Sequence, residues 1–241
     1  MILRIFRKIA ITLSLLTFAT IAFADDSEWL PFRTELRADA MKWEQDGAKL
    51  TRSVAALEIA MPLYKNLYAG PIVTLGQLDI KKVTPEFSTP HRLGFGATLQ
   101  YRNLKIADKL RVHIIARADG QRQRVTENQS LGTGTIHHKQ TVTAYHLSGI
   151  GEFEWKVVGW EIAPFIGIVG DRIDRKITID GYNTQLNDWS GLLPFGGVRF
   201  SRWYGAYYTG LRGFSGGDNR FGIELSVGHD GARESALARR R

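Results

Sequence analysis

Phe32-Arg33-Thr34-Glu35-Leu36-Arg37-Ala38-Asp39-Ala40 alternates without a break. The even positions are apolar or small, and the odd ones are Arg33, Glu35, Arg37 and Asp39. A period of two sends successive side chains to opposite faces of an extended chain, so this stretch is a strand with one apolar and one fully charged face. In a water-soluble protein the apolar face packs inward and the charges meet solvent. In a membrane barrel the apolar face meets lipid and the charges point into the lumen.

The pattern recurs. Leu93, Phe95, Ala97, Leu99 and Tyr101 alternate with Arg92, Gly94, Gly96, Thr98, Gln100 and Arg102. Leu110, Val112, Ile114, Ala116 and Ala118 alternate with Arg111, His113, Ile115, Arg117 and Asp119. Two further runs, 145–155 and 220–227, behave the same way. Filling the gaps predicts ten strands, near 30–43, 50–64, 67–81, 91–103, 109–119, 139–157, 160–171, 190–202, 203–213 and 219–229, with eight as the alternative count. The second, third, seventh and eighth have apolar residues on both faces. So much strand exceeds the usual share in a globular domain, and a closed barrel accommodates it.

The connections point the same way. Lys65-Asn66, Leu104–Asp108, Val158-Gly159 and Arg202-Trp203 are tight turns, and they alternate with connections at 44–49, 82–90, 120–138, 172–189 and 214–218. Short periplasmic turns and longer external loops are the habit of outer-membrane barrels, and an even strand count puts both termini on the short-turn side. Tyr64, Tyr68, Tyr101, Trp155, Trp160 and Trp203 cluster at the tight-turn ends, and Trp43, Tyr145, Phe214 and Phe221 near the loop ends, as two interfacial belts would.

Composition bounds the function. With no cysteine in 241 residues, disulfides, thiolate metal sites and a cysteine nucleophile are excluded. A hydrophobic share of 44% argues against disorder. The mean hydropathy of −0.18 looks soluble, but the average is blind to strands that face lipid on one side. Arg4, Arg7 and Lys8 precede an apolar run from Ile9 to Ile21 and then Ala22-Phe23-Ala24, the layout of a cleavable secretory signal over residues 1–24. Setting aside those three basic residues lowers the net charge from +8 to +5. Much of the remainder sits in the arginine-rich tail 232–241, so the body 25–231 is near neutral and no nucleic-acid partner is expected.

The last strand, Arg220-Phe221-Gly222-Ile223-Glu224-Leu225-Ser226-Val227, resembles the C-terminal assembly signal of the bacterial outer-membrane β-barrel superfamily, with Gly222, Leu225 and Val227 at its marked positions. The resemblance extends over the mature chain. It implies an all-β, antiparallel up-and-down transmembrane barrel in the cell outer membrane, recognised by the barrel-assembly machinery. The closing positions depart from the pattern in being aliphatic, and the chain continues past the strand.

Sorted by face, the predicted lumen collects Arg33, Arg37, Arg92, Arg102, Arg111, Arg117, Arg199, Arg212 and Arg220 against Glu35, Asp39, Asp119, Glu152, Glu154 and Glu224, with Arg52, Glu58 and Glu161 alongside. Guanidinium forks bridge carboxylates bidentately in confined space, so the expectation is an ion-pair network that plugs the barrel. Its role is then structural, binding or restricted passage of small solutes, with no cofactor and no metal. One alternative is a hydrolase of lipid or peptide. A hairpin centred near residue 129 would bring His113 beside His146, with Ser148, Glu152 and Asp171 as neighbours. Another is a soluble periplasmic β-barrel binder. Arg122, Arg124, Arg172, Arg175 and Lys176 in the two long loops suit contact with outer-membrane lipid and lipopolysaccharide.

Overall fold

Residues 33–45 do form a strand, and its two edges pair with the second strand and with the last. In a computed structural model the described residues are 32–45, 47–81, 87–88, 91–107, 110–131, 134–157, 159–179, 182–189 and 191–231; the expected signal segment 1–24 and the tail 232–241 lie outside them. The strands are β1 (Arg33–Gln45), β2 (Ala48–Tyr64), β3 (Leu67–Lys81), β4 (Phe87–Ser88), β5 (Arg92–Ala107), β6 (Leu110–Leu131), β7 (Gly134–Val157), β8 (Trp160–Ile179), β9 (Tyr182–Trp189), β10 (Leu193–Tyr204), β11 (Tyr207–Gly216) and β12 (Arg220–Asp230). Ten of them run in the order β1-β2-β3-β5-β6-β7-β8-β10-β11-β12, and β12 returns to β1 with Leu36 opposite Val227. The described pairings are antiparallel, so the wall is a closed ten-stranded barrel. β4 is added to β3 and β9 to β8.

Closure leaves no unpaired edge in the wall, the condition for a sheet to sit in hydrocarbon. The faces sort accordingly. Phe95 is 68% exposed and Ile166 65%, with Leu93, Ile114, Leu147, Phe200, Leu211 and Ile223 also exposed on the outside. Arg33 and Arg37, on the charged face of β1, are 8% exposed. A soluble binder would invert this arrangement, and that alternative is set aside. Tyr64, Tyr101, Trp155 and Trp160 face outward at the tight-turn end, joined by Tyr204 and Tyr207, and Tyr145 and Phe221 at the other. Trp43 and Tyr68 instead turn into the lumen, as do Trp203, which donates to Glu161, and Phe214, which packs on buried apolar residues.

Two expected loops are strand. Residues 120–131 and 134–138 extend β6 and β7, and 172–179 extends β8 and pairs with β9. Above the lipid a strand needs no apolar face, so the alternation fades and polar sequence imitates a loop. The β10–β11 turn lies at Gly205-Ala206 rather than Arg202-Trp203. Gly205 takes the positive φ of 66° that the turn requires, and Tyr204 pairs with Tyr207 beneath it.

Candidate functional site

The lumen is crossed by side chains from non-adjacent strands. Arg117 on β6 donates through Nε to Glu58 on β2 at 2.8 Å and through Nη2 to Glu35 on β1 at 3.1 Å. The Tyr208 hydroxyl donates to the other oxygen of Glu35, and Gln100 to the other oxygen of Glu58. Arg37 lies 3.9 Å from Glu58 and 3.7 Å from Glu224. Arg212 donates to Glu224 at 2.8 Å and to Glu152, whose second oxygen takes Arg199 at 3.2 Å. The result is an alternating chain, Glu35–Arg117–Glu58–Arg37–Glu224–Arg212–Glu152–Arg199–Glu154, that ties opposite walls together. Nearer the long-hairpin end, Arg52 pairs with Asp119, and Asp171 joins Arg220 at 2.6 Å to His146 at 2.8 Å.

Between this network and the long-hairpin end the lumen turns apolar. Trp43, Leu50, Leu78, Ile80, Val142 and Ile173 form one buried cluster. Ile150, Phe165, Val169 and Phe195 form another at the level of the network itself, Phe165 lying opposite Glu152 and beneath Arg212, and Phe214 packs against both clusters. These residues explain the strands with apolar residues on both faces: one face meets lipid and the other fills the lumen. A cavity of about 50 Å³ remains where the apolar and charged parts meet, lined by Arg37, Asp39, Arg52, His146, Arg212 and Phe214 among others. That is room for a few water molecules.

The predicted lumen residues divide. Arg33, Arg37, Arg102, Arg117, Asp119, Glu152, Glu154, Arg199, Arg212, Arg220 and Glu224 are buried, and Glu35 and Asp39 partly so. Arg92 and Arg111 have the inward parity but are exposed, because they are the first residue of β5 and the second of β6 and stand at opposite rims. Arg175, expected in an external loop, points inward and is buried. Sequence reasoning missed Asp230, the partner of Arg33, and Tyr208; both share the parity of inward neighbours, Glu224 and Arg212.

The histidines do not meet. His113 lies opposite Glu152 and His146 opposite Asp119, six residues apart along β7, or about 20 Å at ~3.4 Å per residue. The pairing of β6 with β7 continues past residue 129 to Leu131 opposite Gly134, which shifts the register. Both ring nitrogens of His113 are engaged. Nδ1 accepts from the Asn103 backbone N–H at 3.1 Å, in a bulged stretch where Asn103 has φ 61°, so Nε2 carries the hydrogen and donates to Glu154 at 3.0 Å. Ser148 lies opposite Arg117, and both oxygens of Glu152 hold guanidinium groups. His113 and Glu152 therefore stand apart from His146 and Ser148; these two line one cavity, His146 is held by Asp171, and no hydrogen bond joins it to Ser148 among the described residues. Gly222 faces inward beneath the Phe214 ring, while Leu225 and Val227 face outward beside Ala38 and Leu36 of β1.

No protein-family model and no curated protein matches the chain. Among solved structures it is similar to the translocator domain of the autotransporter NalP from Neisseria meningitidis, with a TM-score of 0.51 at 11% identity over 92% of this chain and 96% of that one. It is also similar to the transport unit of the autotransporter AIDA-I from Escherichia coli, at a TM-score of 0.43 and 10% identity over 90% and 96% of the two chains. The attachment invasion locus protein Ail of Yersinia pestis aligns at 0.37 and 11% over 84% and 98%. The chain has the fold of a bacterial outer-membrane β-barrel. At these identities the likeness is one of fold, and the filled lumen is read from this chain's own residues.

Proposed function

We propose that the chain is a closed outer-membrane barrel with a structural and binding role, whose lumen passes water or small ions at most. One observation carries this reading: ion pairs that cross the lumen and an apolar layer above them leave a cavity of about 50 Å³. A network of this kind contributes register and rigidity more surely than net stability, and that suits a scaffold holding its external hairpins in place. Export by a signal cleaved after Ala24 fits the layout of residues 1–24. Recognition of β12 by the barrel-assembly machinery, through Gly222, Leu225 and Val227, fits its place as the closing strand. Lipid and lipopolysaccharide are the expected surroundings of the apolar belt.

The test is planar-bilayer conductance of the folded mature chain. The expected record has no open-channel steps above the lipid baseline. Large, reproducible steps overturn the closed lumen.

A further inference from the structure

Four of the cations assigned to external loops, Arg122, Arg124, Arg172 and Lys176, lie instead on the outer face of a four-stranded sheet that stands above the barrel wall, while Arg175 is on its inner face. β5 pairs with β6 no further than Gln121, and β8 leaves β10 at Val169, after which β9 takes its place from Arg172. Beyond those points β6, β7, β8 and β9 continue as a sheet whose two outer edges have no strand partner among the described residues.

The outward rungs of this sheet can be read in order. Ile114–Gly151–Ile166, Ala116–Gly149–Ile168 and Ala118–Leu147–Gly170 are apolar. Gly120–Tyr145–Arg172 follows, with the Tyr145 ring lying over Gly120. Then come Arg122–Thr143–Asp174, Arg124–Thr141–Lys176 and Thr126–Lys139–Thr178. The change from apolar to basic takes one rung. From Trp155 to Tyr145 is ten residues of β7, about 34 Å of strand or roughly 26 Å of height at a tilt of ~40°, the thickness of an outer-membrane apolar band. The basic rungs therefore begin at headgroup depth.

We propose that this face binds the phosphorylated saccharide headgroup of an outer-leaflet lipid. The inference rests on the membrane reading above. Arg122, Arg124, Lys139, Arg172 and Lys176 are all exposed on it, and Asp174, paired with Arg172 at 2.9 Å, is the acid among them. Arg124 and Lys176 flank Thr141 about 10 Å apart, and Arg122 stands about 7 Å from Arg124, a spacing for a multiply charged anion. The interleaved threonine hydroxyls suit sugar hydroxyls. Across the barrel the same height carries Lys42, Lys49 and Lys81 with Glu44 and Asp79, and Lys49 sits 3.8 Å from Glu44. Positive charge is thus concentrated on one sector, continuous with the lipid-facing belt below it.

The experiment measures binding of lipopolysaccharide to the folded mature chain in detergent, with the same lipid after enzymatic dephosphorylation and inorganic pyrophosphate as separate arms. Arg122→Gln/Arg124→Gln/Lys139→Gln/Lys176→Gln is compared with Lys42→Gln/Lys49→Gln/Lys81→Gln, folding being checked by heat-modifiable migration on a gel. The expected result is binding weakened roughly tenfold or more in the first variant and unchanged in the second. Dephosphorylation should weaken the wild type similarly, and pyrophosphate should bind far more weakly than the intact lipid. Arg124→Gln alone should give a smaller loss, which keeps the test open if the fourfold variant does not fold. Equal loss in both multiple variants, undiminished binding of dephosphorylated lipid, or tighter binding of pyrophosphate than of lipid overturns the proposal. If the wild type fractionates with the outer membrane yet fails to bind, this inference falls alone. If it does not fractionate there, the membrane reading falls with it.

Discussion

Arg220 and Asp171 meet 2.6 Å apart inside the lumen, although β10 and β11 separate their strands in the wall. Arg220 is 1% exposed, its guanidinium lies 5.3 Å from the centre of the Trp43 ring and donates to the Met41 sulfur at 3.7 Å, and its Nε and Nη2 nitrogens have no hydrogen-bond partner among the described residues. Its stabilisation therefore depends on Asp171, the Met41 sulfur and the indole face. Breaking a buried pair costs about 3–5 kcal/mol, and less here because Asp171 keeps His146 at 2.8 Å. Arg220→Met should lower the urea midpoint at which the folded, heat-modifiable band is lost. Arg220→Met/Asp171→Asn should recover part of that loss, because the buried carboxylate charge is gone. Equal midpoints for the wild type and Arg220→Met would show that the pair is energetically idle.

Trp43 is the largest side chain of the apolar layer and also lines a small cavity beside Arg52, Asp119 and Asp171. Trp43→Ala removes the indole between that cavity and the long-hairpin end. The variant should show conductance steps in a planar bilayer that the wild type lacks. It should also lose about 3–5 kcal/mol of stability, as large-to-small changes at buried aromatics do. Leu211→Ala, on the outer face, is the control and should leave the bilayer record unchanged.

The Tyr208 ring occupies the space where a Cβ on Gly228 would sit, and its hydroxyl donates to Glu35. Two variants separate the ring from the bond. Tyr208→Phe keeps the ring and leaves Glu35 to Arg117, a loss of about 1–3 kcal/mol for a buried acceptor short of one donor. Gly228→Val displaces the ring and breaks the bond as well. Urea midpoints should fall in the order wild type, Tyr208→Phe, Gly228→Val.

How much of this was legible follows from where each residue sits relative to the lipid. Within the membrane one face must be apolar, so parity alone placed Arg33, Arg37, Arg117, Arg199 and Arg212 in the lumen. Partner choice was not legible. Arg117 reaches Glu58 from a strand three places round the wall, and that depends on the stagger of the closed barrel. The apolar layer was visible only as ambiguity, since Leu50, Leu78, Phe165 and Phe195 gave their strands two apolar faces. Above the lipid the signal stopped. Gln121 and Gln123 face inward and Arg122 and Arg124 outward, all polar, so the hairpin tip was misplaced and with it the pairing of His113 and His146.

That register gives a covalent test, and the absence of cysteine from the chain makes it clean. Ala118 and Leu147 are cross-strand partners on the outer face of β6 and β7. A tip near residue 129 would instead set residue 118 opposite residue 140. Directly opposed residues in an antiparallel pair have Cα atoms about 4.5–5.5 Å apart, within disulfide range, whereas a displacement of seven residues is about 24 Å. Ala118→Cys/Leu147→Cys should therefore oxidise to an intramolecular disulfide in the folded barrel, seen as a mobility change reversed by reductant. Ala118→Cys/Gln140→Cys should remain reduced under the same oxidant. The reverse outcome would restore the shorter hairpin and bring the two histidines back within reach of each other.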